Sequence, residues 1–179
     1  MKYITQSEKE RLLHDWKYKG YAIVDILTES EADEVISELE KLRINRNQSD
    51  TTWGEYEPYM HPHKESELIE KIMAHPKSIE VMELLLNTEV QVVQTWAYFK
   101  PPGELGRDAH QDSFYSQAVW NKIANVSISL DESDESNGGL WAYEGSHLLP
   151  LLDIEVDSDR VQSNPGHWRN ERGKPCIMP

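Results

Sequence analysis

The chain is poor in cysteine, in cations and in long apolar runs, and each shortage closes off a class of function. A single cysteine, Cys176, stands among 179 residues. It can form no internal disulfide and has no neighbouring thiol for a zinc knuckle or a redox pair, which points to a reducing cytoplasm. Lys and Arg number 18 against 32 Asp and Glu, for a formal charge of −14 and a pI near 4.9. A surface so short of cations cannot track a phosphate backbone, so no nucleic-acid partner is expected. The longest apolar runs, such as Leu84-Leu85-Leu86 and Val92-Val93, fall far below the roughly 20 residues of a membrane helix. The opening from Met1 to Glu10 is polar rather than signal-like, so a soluble, unsecreted protein without a membrane span is expected. The acidic excess reads as solvated surface.

What is present is a chain of one-domain length, 1–179, whose patterning changes half-way. Residues 1–87 carry helical periods. Ser7 with Glu10 resembles a capping box ahead of Leu12, Leu13 and Trp16, predicting a helix over about 7–19 that ends at Gly20. Tyr21 to Asp25 is a short β-prone run. Thr28 and Glu31 form a second box ahead of Ala32, Val35, Ile36, Leu39 and Leu42, which predicts an amphipathic helix. From Asn45 to Lys64 the period vanishes and Trp53, Tyr56 and Tyr59 accumulate, the composition of a lid whose aromatics touch substrate. A short helix through Leu68, Ile69, Ile72 and Met73 ends near His75. Pro76 opens another, with Ile79, Met82, Leu85 and Leu86 facing inward.

Residues 88–179 read as strands. Glu89 to Lys100 alternates Gln94, Trp96 and Tyr98 against Val93, Ala97 and Phe99, predicting a strand buried on both faces. Lys100-Pro-Pro-Gly103 breaks it. His110 to Tyr115 is expected to be extended, and Ala124 to Leu130 alternates Val126, Ile128 and Leu130 against Ser127 and Ser129. Gly139 to Tyr143 is a further strand. The acidic run Asp131 to Asn137 lacks the spaced ligands, central glycine and terminal glutamate of a calcium loop, and reads as an exposed turn. Helices in front of an antiparallel sheet give an α+β class with a mainly β core.

His110-Gln111-Asp112 sets an imidazole and a carboxylate at i and i+2, which on extended backbone leave the same face and can converge on one metal. The spacing alone is unspecific. With 7 His in 179 residues, chance supplies roughly 0.4 such pairs in a chain of this composition.

The order in which Gln94-Thr-Trp-Ala-Tyr-Phe-Lys-Pro-Pro-Gly103, His110-Gln-Asp-Ser-Phe-Tyr115, Asn137-Gly-Gly-Leu-Trp141 and Glu144-Gly-Ser-His147 succeed one another resembles the phytanoyl-CoA dioxygenase family. The likeness runs over about residues 18–150. It implies a double-stranded β-helix, a cupin-like jelly-roll behind N-terminal helices, that binds Fe(II) and 2-oxoglutarate and uses O₂ to hydroxylate a small or lipid-like molecule. His110 and Asp112 match two ligands of the family's triad of two His and one carboxylate. Asp112 fills the position that related iron halogenases leave to halide. Ser127, Gln94 and Tyr98 resemble positions lining the co-substrate pocket, with structural hydrogen bonding an equal reading for Gln94 and Tyr98. His147 matches a signature read as structural, and His61-Pro62-His63 reads as solvated loop rather than a metal pair.

The resemblance weakens at the end. A family member carries a second iron-binding His well beyond the GSH turn and then an Arg that clamps 2-oxoglutarate, and neither has an obvious match before Pro179. His167 lies in Pro165-Gly-His-Trp168 without strand patterning. Lys174 to Pro179 resembles the run into the family's next strand, so the expectation is an oxygenase domain lacking its last strands, a fragment or a truncated product. The rival readings are a non-catalytic jelly-roll binding protein and an inactive truncated paralogue. Substrate and oligomeric state are not legible.

Overall fold

The computed structural model describes residues 3–45, 58–102, 110–113 and 123–151, and the backbone of 175–177. Most of the expected lid, with Trp53 and Tyr56, lies outside the described residues, as does His167. The described chain divides into two compact units, one drawn from Met1–Lys9, Val24–Glu104 and Ile128–Glu132, the other from Glu10–Ile23, Leu105–Ser127 and Ser133–Pro179.

Helix α1 runs over Gln6–Lys19 and α2 over Glu29–Asn45. Each begins with a reciprocal box. At α2 the Thr28 N–H donates to Glu31 Oε2 at 2.8 Å while the Glu31 N–H donates to Thr28 Oγ1 at 3.3 Å, as the sequence predicts. At α1 the box is Thr5 with Glu8, at 2.8 and 3.2 Å, rather than Ser7 with Glu10. The two overlapping candidates obey the same rule, and the earlier one wins.

The hydrogen bonds from Thr28 hold the Glu31 carboxyl below its usual range. A depressed folded-state value means that this stabilisation is present above the unfolded pKa and is lost as pH falls through the folded one. Thr28→Ala removes the hydroxyl bonds and keeps the backbone N–H donor, so it is expected to destabilise at neutral pH and to flatten the acid limb of a Tm-against-pH profile only in part. A variant profile parallel to the parent's would show that the Thr28 hydroxyl adds nothing to the Glu31 shift.

In the first unit α2 packs on α3, Glu67–Met73, and α4 follows over Pro76–Leu86. Ser66 caps α3 by accepting from the Ile69 N–H at 3.4 Å, and its own hydroxyl donates to Glu38 Oε1 on α2 at 2.7 Å. Val35, Leu39, Tyr59, Ile69 and Ala97 form the core of this unit, with Leu42, Leu68, Ile72, Phe99 and Leu130 against it. Tyr59 is 4% exposed. It is a core residue, so the expectation that it touches substrate is overturned. On α4 the buried positions are Ser78 and Val81, while the expected Ile79, Met82, Leu85 and Leu86 are half-covered.

Sheet is sparse among the described residues. Strand β1, Tyr59–Met60, pairs antiparallel with β2, Trp96–Ala97, and β3, Trp141–Tyr143, pairs antiparallel with β4, Pro175–Ile177. These pairings close no barrel. The expected strand over Glu89 to Lys100 contracts to two residues, and its two faces are not both buried: Val92, Val93, Gln94, Trp96 and Tyr98 are exposed, and Ala97 is the buried position. Alternation predicts extended backbone, whereas a strand needs a ladder partner, which this segment meets at Tyr59 and Met60. Tyr21 to Asp25 and Ala124 to Leu130 likewise form no strand. No described helix is long and apolar enough to cross a membrane.

Candidate active site

His110 and Asp112 lie in the second unit, on a short segment that turns at Asp112 instead of continuing extended. The two side chains nonetheless converge: His110 Nε2 stands 3.1 Å from Asp112 Oδ1, with the side chains 33% and 44% exposed. Between them the Gln111 amide donates to the Pro150 carbonyl at 3.2 Å. The other carboxylate oxygen of Asp112, Oδ2, accepts from the Asn125 side-chain amide. The hydrogen bond from His110 holds the Asp112 carboxyl below the usual carboxylate range. Partial burial opposes that shift, while the His110 charge and the Asn125 amide add to it.

This pair fits a metal edge. In a six-coordinate ion, bonds of about 2.1 Å put adjacent donor atoms about 3.0 Å apart, and the observed separation is 3.1 Å. One neutral nitrogen and one anionic oxygen suit a divalent first-row ion. Among the described residues no group of three or more His, Cys, Asp or Glu side chains is placed to hold a metal.

Ser127 belongs to the same unit and is exposed. Gln94 and Tyr98 belong to the first unit, both exposed, with Tyr98 stacked on Trp96 at 6.2 Å between ring centroids. His61 and His63, also in the first unit, meet edge to face, and His63 Nδ1 lies 2.7 Å from the Thr95 hydroxyl. That ring is half-buried and hydrogen-bonded, not the solvated loop residue expected. The shallow groove between α2 and α3, lined by Asp33, Glu34, Glu38 and Leu68 among others, contains none of the candidate residues.

His147 caps a helix. Its Nε2 lies 3.1 Å from the Lys17 carbonyl, which can only accept, so Nε2 carries the proton; the Gly145 N–H donates to the Lys19 carbonyl at 2.9 Å. Tyr21 adds a hydrogen bond to Glu144 at 3.0 Å. The Gly145-Ser-His147 turn thereby takes up two of the orphan carbonyls at the end of α1. The His147 Nε2 is engaged in this cap, while its Nδ1 is buried without a hydrogen-bond partner. Asn125 is the contact that sequence reasoning missed. The signal was its place two residues before Ser127, on the same side of the Ala124 to Leu130 alternation.

A family model for phytanoyl-CoA dioxygenase (PhyH) matches residues 16–177, nearly the whole chain. The chain belongs to the phytanoyl-CoA dioxygenase family. That family's chemistry depends on iron and 2-oxoglutarate. A protein of Stutzerimonas stutzeri named a probable alpha-ketoglutarate-dependent hypophosphite dioxygenase is 25% identical over 92 residues, 51% of this chain and 32% of that protein. The match thus spans about a third of the relative's length. No solved structure matches the chain.

Proposed function

We propose that this phytanoyl-CoA dioxygenase family chain is an Fe(II)- and 2-oxoglutarate-dependent dioxygenase domain that hydroxylates a small or lipid-like molecule. In this reading His110 and Asp112 are two of the iron ligands. The observation that carries it is the 3.1 Å approach of His110 Nε2 to Asp112 Oδ1, within the residues the family model matches. Bound Fe(II) supplies the chemistry in which O₂ and 2-oxoglutarate yield succinate, CO₂ and a hydroxylated product. The chain's own part is to hold the ion by one imidazole and one carboxylate. Ser127, in the same unit as the pair, is proposed to line the co-substrate pocket of a cupin-like jelly-roll. Cytoplasmic location is proposed on the single cysteine.

The test is anaerobic reconstitution with Fe(II), followed by succinate measurement with 2-oxoglutarate, O₂ and a panel of small molecules. The panel includes hypophosphite, which the name of the Stutzerimonas relative gives as its substrate. Iron uptake with succinate release above the iron-free control is the expected result. A well-folded chain that takes up no iron would favour the non-catalytic binding reading.

A further inference from the structure

A carboxylate on a short stem turns freely about its last torsion, so a ligand oxygen is aimed at a metal only when its partner oxygen is held elsewhere. Asp112 shows this division of labour. Its Oδ1 faces His110 Nε2 at 3.1 Å, and its Oδ2 accepts from Asn125, thirteen residues further along the chain. We infer that Asn125 is a positioning residue for the metal site: its carboxamide fixes the Asp112 carboxylate so that one oxygen stays beside the His110 nitrogen.

Two features single Asn125 out. An ionised carboxylate only accepts hydrogen bonds, so the amide must present its NH₂ group to Oδ2, which fixes the side chain in one of its two flips. The amide is also neutral. A lysine or arginine at this place would hold the carboxylate as firmly but would compete with a cation for its charge, whereas asparagine orients the group and leaves that charge available. Because Asn125 is exposed, removing it opens no core cavity. Its effect should fall on the metal and not on the fold.

This inference rests on the reading of His110 and Asp112 as ligands, and the experiment separates the two. Co(II), which stays divalent in air, is titrated into the chain, and binding is followed by paramagnetic shifts of histidine ring protons, readable at weak as well as tight affinity. Asn125→Ala and the shape-matched, donor-free Asn125→Leu are expected to bind Co(II) about tenfold more weakly. The thermal midpoints of the metal-free variants should stay at the parent value. His110→Ala is the control and should lose the binding. If both Asn125 variants bind within twofold of the parent while His110→Ala does not bind, the positioning role is overturned and the ligand reading stands. Weaker binding that appears only with a matching fall in thermal midpoint would assign Asn125 a structural role and also overturn the inference. Parent-like binding by His110→Ala would overturn the ligand reading itself.

Discussion

Gly20→Ala is expected to cost the chain about 2–3 kcal/mol of stability, two effects acting together. Gly20 ends α1 at φ +90°, a region where an L side chain costs about 1–2 kcal/mol. A Cβ built there would lie 2.4 Å from His147 Nδ1, 2.8 Å from its Cγ and 3.1 Å from its Cβ, so the imidazole would have to leave. Leaving breaks the bond from Nε2 to the Lys17 carbonyl, worth about 1 kcal/mol. In a chain of this size the loss corresponds to a fall in Tm of about 6–9 °C. A double-mutant cycle with His147→Ala isolates the ring: without it, Gly20→Ala should cost the backbone term and the small adjustment that the remaining Cβ contact at 3.1 Å requires. A Tm within 2 °C of the parent, or equal costs in both backgrounds, would show that the turn does not cap the helix.

That contact illustrates where the sequence is legible and where it stops. Gly20 reads as a helix end from composition alone, and Thr28 with Glu31, or Pro76 at the start of α4, are local signals that the structure repeats residue for residue. Local signals fail where two obey one rule, as with Thr5–Glu8 over Ser7–Glu10. They fail more widely for sheet. The alternation through Glu89 to Lys100 and through Ala124 to Leu130 specifies which side chains share a face, but pairing depends on a partner remote in the chain, as β1 and β2 are. The same limit governs the site. His110 and Asp112 are visible because they are two residues apart, whereas Asn125 reaches Asp112 across thirteen positions and His147 reaches Lys17 across 130. No period or spacing rule carries that information.

The largest functional effect is expected at the pair itself. His110→Ala and Asp112→Ala should each weaken Fe(II) binding by more than about 100-fold, beyond the 10- to 100-fold cost of losing an outer-shell partner. Succinate formation from 2-oxoglutarate should fall with it. Asp112→Asn sharpens the argument, because it preserves shape and one acceptor oxygen while removing the negative charge, and it should fail nearly as badly as alanine if the carboxylate serves as an anionic ligand. Stability should scarcely respond. The two side chains are 33% and 44% exposed, and an ion pair that open to water is worth about 0–1 kcal/mol. A large loss of iron affinity beside a nearly unchanged Tm is thus the signature of a metal edge. The opposite pattern, a lowered Tm with iron uptake and turnover intact, would mark His110 and Asp112 as an ordinary structural pair, and the dioxygenase site would have to be sought elsewhere in the chain.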